Sequence, residues 1–169
     1  RMAGQNGYNI MAIPFAGEKM AQLMGIYRDA WMSAGHKGSP RMMLSFAMYC
    51  APTRAEALAV AQPALDGYLK ALGDAAAAWG EGASTKDYPG YDKMVAGIRA
   101  ETFQTQYEKG VAWCGTPNEI ADMIADFQRT TGTFESASLQ VNFYDLPADK
   151  AAASMRLFAR EVMPRFSTS

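Results

Sequence analysis

The sequence predicts an α/β protein built on a parallel sheet of about three strands with flanking helices, and three observations lead there. Short apolar runs without polar alternation read as strands buried on both faces. Each run is followed by a stretch of helical periodicity with its own start or stop signal. Strands alternating with helices of that length imply crossover units and a parallel sheet. With 169 residues the chain is long enough for one ordinary domain, which buries about 68–70% of the surface of its unfolded chain.

The first strand is expected over residues 8–15, Tyr-Asn-Ile-Met-Ala-Ile-Pro-Phe, ended by Pro14 and Gly17. A helix over 18–34 follows, with Met20, Leu23, Met24, Tyr27 and Trp31 at helical spacing and Gly35 placed for a left-handed cap. The second strand is expected over 42–50, Met-Met-Leu-Ser-Phe-Ala-Met-Tyr-Cys. Thr53 with Glu56 three residues on forms a capping box for a helix through Ala57, Leu58, Ala61, Leu65 and Leu69. Pro63 inside that helix should kink it, because its ring removes a donor and crowds the preceding turn.

Periodicity weakens over residues 80–112, where Gly82, Ser84, Pro89 and Gly90 are mixed with Tyr88, Tyr91, Phe103 and Tyr107. This segment reads as an insertion or lid within one domain of residues 1–169, partly helical over 91–109. Thr116-Pro117-x-Glu119 is a second capping box with proline at the first helical position, and Ile120, Met123, Ile124 and Phe127 continue its stripe to Gly132. A third strand is expected over 137–143. The last helix, from Ala148 to before Pro164, should bury Ala152, Met155, Phe158, Ala159 and Val162.

Three parallel strands do not finish a sheet, which needs helices on both faces or closure into a barrel. One face is therefore expected to be open, carrying either the Leu139/Val141/Phe143 row or the Ser138/Gln140/Asn142 row. Arg1 running straight into Met2-Ala3-Gly4 reads as a cut in a longer parent chain. The open strand edges predict association into a homo-oligomer.

With 16 basic and 17 acidic residues, and no block of like charge, a nucleic acid or an anionic membrane surface is not an expected partner. No apolar run approaches the length of a membrane helix and no signal-like segment opens the chain, which reads as soluble and cytoplasmic. Cys50 and Cys114 fit a reduced pair. No metal-ligand spacing, Walker loop or dinucleotide fingerprint is present.

Several segments, taken in order, resemble the second half of the bacterial luciferase-like, flavin-dependent monooxygenases. They are Ala3-Gly4-Gln5-Asn6-Gly7 with Ile10-Met11, residues 27–36, Thr53-x-x-Glu56-Ala57, Gly115-Thr116-Pro117-x-Glu119, and residues 154–164, Ser-Met-Arg-Leu-Phe-Ala-Arg-Glu-Val-Met-Pro. No one of these motifs is specific alone; the resemblance lies in their collinear order over the chain. It implies the C-terminal portion of a (β/α)8 TIM barrel. The cofactor implied is reduced FMN, supplied by a flavin reductase, with dioxygen as co-substrate to oxygenate a small organic molecule such as an aldehyde or hydrocarbon.

Carried over by position, Ala12, Ile13 and Pro14 match the stretch beside the flavin ring, although Ile13 and Pro14 stand where relatives often have an aromatic or polar residue. The resemblance puts the phosphate-holding turn and the catalytic histidine upstream of Arg1, in a missing N-terminal half. The isolated segment is then expected to be inactive. Cys50 and Asn142, near strand ends, are substrate-side candidates; a buried cysteine is also an ordinary small hydrophobe. His36 reads as a helix-terminal histidine and Thr116 as a cap rather than an anion site. Lys86, Tyr88, Tyr91, Lys93 and Arg99 are lid candidates that also suit a solvated loop. Other readings are a deazaflavin-dependent oxidoreductase of the same barrel type, a non-catalytic flavoprotein, or a self-assembling half-barrel.

Overall fold

Nine consecutive small or apolar residues, Met42–Cys50, form the longest strand and the axis on which the rest is arranged. The computed structural model describes residues 1–14, 18–80 and 89–166. In chain order these form α1 (Met2–Gln5), β1 (Ile10–Ala12), α2 (Glu18–Ser33), β2 (Met42–Cys50), α3 (Arg54–Ala75), α4 (Tyr91–Ala100), α5 (Phe103–Glu108), β3 (Ala112–Gly115), α6 (Pro117–Thr131), β4 (Ser136–Gln140) and α7 (Ala148–Glu161). Single 3-10 turns follow α3 and α7, at Ala77–Gly80 and Met163–Arg165.

All strand pairs are parallel and all include β2. Its N-terminal half pairs with β1 from Ile10↔Met42 to Ala12↔Leu44, and with β4 from Met43↔Ser136 to Ala47↔Gln140. The Arg41 carbonyl accepts from Ile10 N–H, whereas the next carbonyl, of Met42, accepts from Glu135 N–H, both at 3.1 Å. Successive carbonyls point to opposite edges of a strand, so β1 and β4 flank β2 on either side. β3 pairs only with the C-terminal half, from Ala47↔Ala112 to Cys50↔Gly115.

The two faces of β2 are covered differently. Met42, Leu44, Phe46 and Met48 point to one face and pack with Met20, Met24, Tyr27 and Trp31 of α2, Ile120, Ile124 and Phe127 of α6, and Phe158 of α7. Phe46 stacks on Trp113 at 3.7 Å between ring centroids and meets Phe127 edge-on at 5.1 Å. On the other face Met43, Ser45 and Ala47 are half-buried beside Ser136, Ser138 and Gln140. Beyond them Tyr49, Ala112 and Cys114 are sealed by Ala57, Ala61, Leu65 and Leu69 of α3, by Phe103 of α5, and by Phe143.

β2 runs over the expected residues. β1 is shorter than residues 8–15, because Tyr8 and Asn9 lead into the sheet and Ile13 leaves it. A fourth strand, β3, was not foreseen: its four residues Ala-Trp-Cys-Gly abut the capping box of α6 and are too few to show a period. β4 is Ser136–Gln140 rather than 137–143. Leu139 lies in register with Phe46 on the helix-covered face, so Ser138 and Gln140 form the open row.

Thr53 accepts from Glu56 N–H at 3.2 Å, while the Glu56 carboxylate lies 3.9 Å from Lys150. The Thr116/Glu119 box is complete. α3 runs unbroken through Pro63. The stripe of α7 is Ala151, Ser154 and Phe158, leading to Val162, with Met155 at 50% exposure, because a hydroxyl rather than a thioether is placed beneath β2. Leu23 of α2 is likewise turned outward, at 45% exposure. Of the segment 80–112, residues 89–111 hold α4 and α5; Phe15, Gly17, Gly82, Ser84, Lys86 and Tyr88 lie outside the described residues.

Candidate functional site

Ligands of parallel α/β sheets gather beyond the C-terminal ends of the strands, which places three short stretches of this chain under scrutiny. At the end of β1, Ala12 is half-buried against the helix-covered core, Ile13 is 76% exposed and Pro14 is buried. Met11, 68% exposed, is in register with Met43 on the open face. The end of β1 therefore presents a bare apolar surface.

At the end of β2, Cys50 has passed the last residue of β4, and its N–H donates instead to Ser154 Oγ at 2.8 Å. Ser154 is itself buried and its hydroxyl lies 3.7 Å from Met48 Sδ. Burial, followed by the Glu161 carboxylate, pushes the Cys50 thiol up to about 11. Burial pushes Cys114 up to about 12. Both are free thiols, neutral at physiological pH and so poor nucleophiles. Cys50 belongs to the α2/α6 core and Cys114 to the α3 core, so the side chains of the two neighbours lie on opposite faces of the sheet.

Past β4, Asn142 is exposed between Val141, which packs on the first core, and Phe143, which is buried in the second. The ends of β1, β2 and β4 are thus contributed by one sheet, with Ile13 and Asn142 open and Cys50 withdrawn into packing.

Two further features of this end escaped the sequence reading. Arg54, at the start of α3, reaches Glu119 at 3.2 Å and sits over the Tyr107 ring, 6.0 Å from its centroid. The backbone N–H and hydroxyl of Thr116, together with Arg54, hold the Glu119 carboxyl below its ordinary range against partial burial. The N-terminus of α6 is therefore satisfied from within. The capping box was visible in the sequence, but its arginine partner, 65 residues away, was not. The other feature is Tyr144, whose φ of 57° lies in the left-handed region.

His36 stands elsewhere, past α2, where its Nε2 lies 3.0 Å from the Gln5 carbonyl and its ring tilts against Trp31. It fastens α1 to α2 and takes no part in the strand-end site. Lys93 and Arg99 lie on α4, Arg99 packing against Gly73 of α3. Among the described residues no group of three His, Cys, Asp or Glu could hold a metal ion. No described helix is long and apolar enough to cross a membrane.

Parallel strands under helices, with strand ends collected on one side and part of the inner face covered by a helical excursion, define a segment of a TIM-type barrel. The family model for luciferase-like monooxygenases matches residues 1–133, and the chain belongs to that family.

Among solved structures the chain resembles the monooxygenase RslO1 from Streptomyces bottropensis, at 25% identity and a TM-score of 0.68 over 98% of this chain and 44% of that one. It also resembles the oxygenating constituent of 3,6-diketocamphane monooxygenase from the CAM plasmid of Pseudomonas putida. That structure is a type II Baeyer-Villiger monooxygenase in complex with FMN, at 23% identity, TM-score 0.68, and coverage of 97% and 44%. Riboflavin lyase (RcaE), with modified FMN and substrate riboflavin, is similar at 22% identity, TM-score 0.63, and coverage of 97% and 39%. The chain spans less than half the length of each of these structures. No curated protein sequence matches it.

Proposed function

We propose that this chain supplies one wall of the flavin site of an FMN-dependent luciferase-like monooxygenase that oxygenates a small organic substrate. The observation that supports this most directly is the bare apolar surface of Met11 and Ile13 at the end of β1, in a chain of this family. An isoalloxazine ring has a flat, largely apolar face, which exposed Ile13 and Met11 suit, whereas Ala12 and Pro14 are packed away and act only as backing. A phosphate needs converging donors or cations, and Arg54, a described cation at this end, is paired with Glu119. The fit is therefore to the ring and not to the phosphate. Reduced FMN with dioxygen would supply the oxidising chemistry, and a separate reductase the reduced flavin.

Asn142, exposed beyond β4, is the substrate-side polar group in this reading. Cys50 contributes bulk behind the site instead of a nucleophile. The oxygenation belongs to a protein that completes the barrel around the open Ser45/Ser138/Gln140 row, in a cytoplasmic homo-oligomer.

Flavin titration tests the proposal. The 169-residue chain alone should bind FMN weakly or not at all and should not turn over. A protein that carries it within a closed barrel should bind FMN and lose affinity on Ile13→Lys. Tight stoichiometric binding by the isolated chain, or indifference of the closed barrel to Ile13→Lys, would overturn it.

A further inference from the structure

Tyr144 is the one non-glycine residue with positive φ, 57°, among those described. It occupies the first central position of a tight turn closed by Leu146 N–H to the Phe143 carbonyl at 3.3 Å. Glycine or asparagine normally fills such a position, because a Cβ there crowds the backbone. A large aromatic side chain is an unfavourable choice unless its ring makes a compensating contact.

That contact is with Gly67 of α3. A Cβ built on Gly67 would lie 2.5 Å from Cδ1 and 2.6 Å from Cε1 of the Tyr144 ring, so the ring rests on the bare helix backbone. Glycine inside a helix is itself unfavourable. Two locally poor choices, far apart in sequence, thus meet in one contact. Tyr144 nevertheless remains 61% exposed, with its ring backed by helix on one side only.

Pro63 stands one turn before Gly67 and lacks the N–H that would bond to the Ala59 carbonyl, which weakens the helix ladder between residues 54–62 and 64–75. The distal half carries Leu65 and Leu69 onto the inner face that holds Tyr49 and Cys114. We propose that Pro63 is a hinge and the Tyr144–Gly67 contact a latch. Together they set how closely the distal half of α3 covers the inner face of the sheet at the C-terminal ends of β2 and β3. The latch does not depend on which cofactor the barrel holds, so it is tested without one.

The two free cysteines provide the readout, because Cys114 lies on the face under α3 and Cys50 on the other. In the full chain, alkylation with iodoacetamide is followed site by site by mass spectrometry, alongside backbone hydrogen exchange. Gly67→Ala and Tyr144→Ala should raise Cys114 alkylation, and exchange over residues 64–75, by about tenfold, while Cys50 and residues 54–62 stay near wild type, as local opening requires. Tyr144→Gly removes ring and strain together and should speed exchange over 64–75 without speeding it over 143–146. Gly67→Ala added to Tyr144→Gly should open the segment no further and should slow exchange over 64–75, since the clash is gone and alanine favours the helix. If Gly67→Ala does not fold, the two Tyr144 variants carry the comparison. Equal exposure of both cysteines, or wild-type behaviour in the Tyr144 variants, overturns the latch.

Discussion

The two faces of β2 differ both in their side chains and in what covers them. On one face Met42, Leu44, Phe46 and Met48 are buried under α2 and α6. On the other, Met43 and Ala47 flank Ser45 and are only half-buried until α3 covers the strand from Tyr49 onward. Alternation of burial therefore exists over the first six residues, with large Leu44 and Phe46 on the buried face and small Ser45 and Ala47 on the other. Small and polar side chains on the open row, Ser45, Ala47, Ser136 and Ser138, leave room above them, and a closed barrel fills with side chains from every strand. The first face is held by partners within this chain, and the second is covered by them only beyond Ala47.

The strongest test of that difference is a pair of truncations one residue apart. Phe46→Ala removes the ring stacked on Trp113 and leaves a cavity between α2 and α6, so it should cost about 3–5 kcal/mol. Ser45→Ala on the open row should stay within about 0.5 kcal/mol, as surface changes usually do. Urea unfolding of the two variants decides it. Comparable losses would mean that the open row is packed in solution, and a loss of that size at Ser45 should then vary with protein concentration.

A smaller effect is expected where α7 supports β2. Ser154→Ala leaves the Cys50 N–H buried without its acceptor, at a cost of about 1–3 kcal/mol. Ser154→Thr keeps the acceptor and adds a methyl group to a fully packed position, so it should recover only part of the loss. Thermal unfolding checks both. A neutral Ser154→Ala would show that Cys50 N–H finds another acceptor and that α7 is not needed to hold the end of β2.

How far the sequence could be read follows from the same contrast. β2, α2, α6 and its capping box were legible because each is specified by residues close together: an unbroken apolar run, a 3.6-residue stripe, a Thr-Pro-x-Glu start. The stripe of α7 was read one residue out of place, because Ser154 is polar by type and buried for its hydroxyl. β3 was missed because four residues carry no period. The side of the sheet on which α3 lies could not be read at all: Ala57, Ala61 and Leu65 form the same stripe whichever face they cover. Of the strand-end residues, Ile13 and Asn142 both lie past strands that end sooner than their apolar runs, so Val141 and Phe143, expected on one face, enter different cores. Arg54 and Tyr144 depend on partners that only the tertiary fold brings near.

The smallest effect belongs to Glu119, at the seam where β3 passes into α6. Its carboxyl is held below the ordinary range mainly by the Thr116 N–H, with help from the Thr116 hydroxyl and Arg54. Gly115 leaves it room, since a Cβ there would come within 2.9 Å of a Glu119 carboxylate oxygen. A carboxyl group with a lowered folded-state pKa binds protons more readily in the unfolded chain. Its contribution is therefore present above the unfolded value of about 4.3 and is lost as pH falls through the folded one. Arg54 is largely open to water and Glu119 only partly buried, so solvent screening limits this contribution to about 1 kcal/mol. Glu119→Gln should thus be nearly neutral at low pH and mildly destabilising at pH 7, with a shallower acid limb in a stability profile measured from pH 7 to pH 3. A variant whose loss is the same at both ends of that range would show that the side chain acts by shape alone, and that charge at this seam does nothing for the fold.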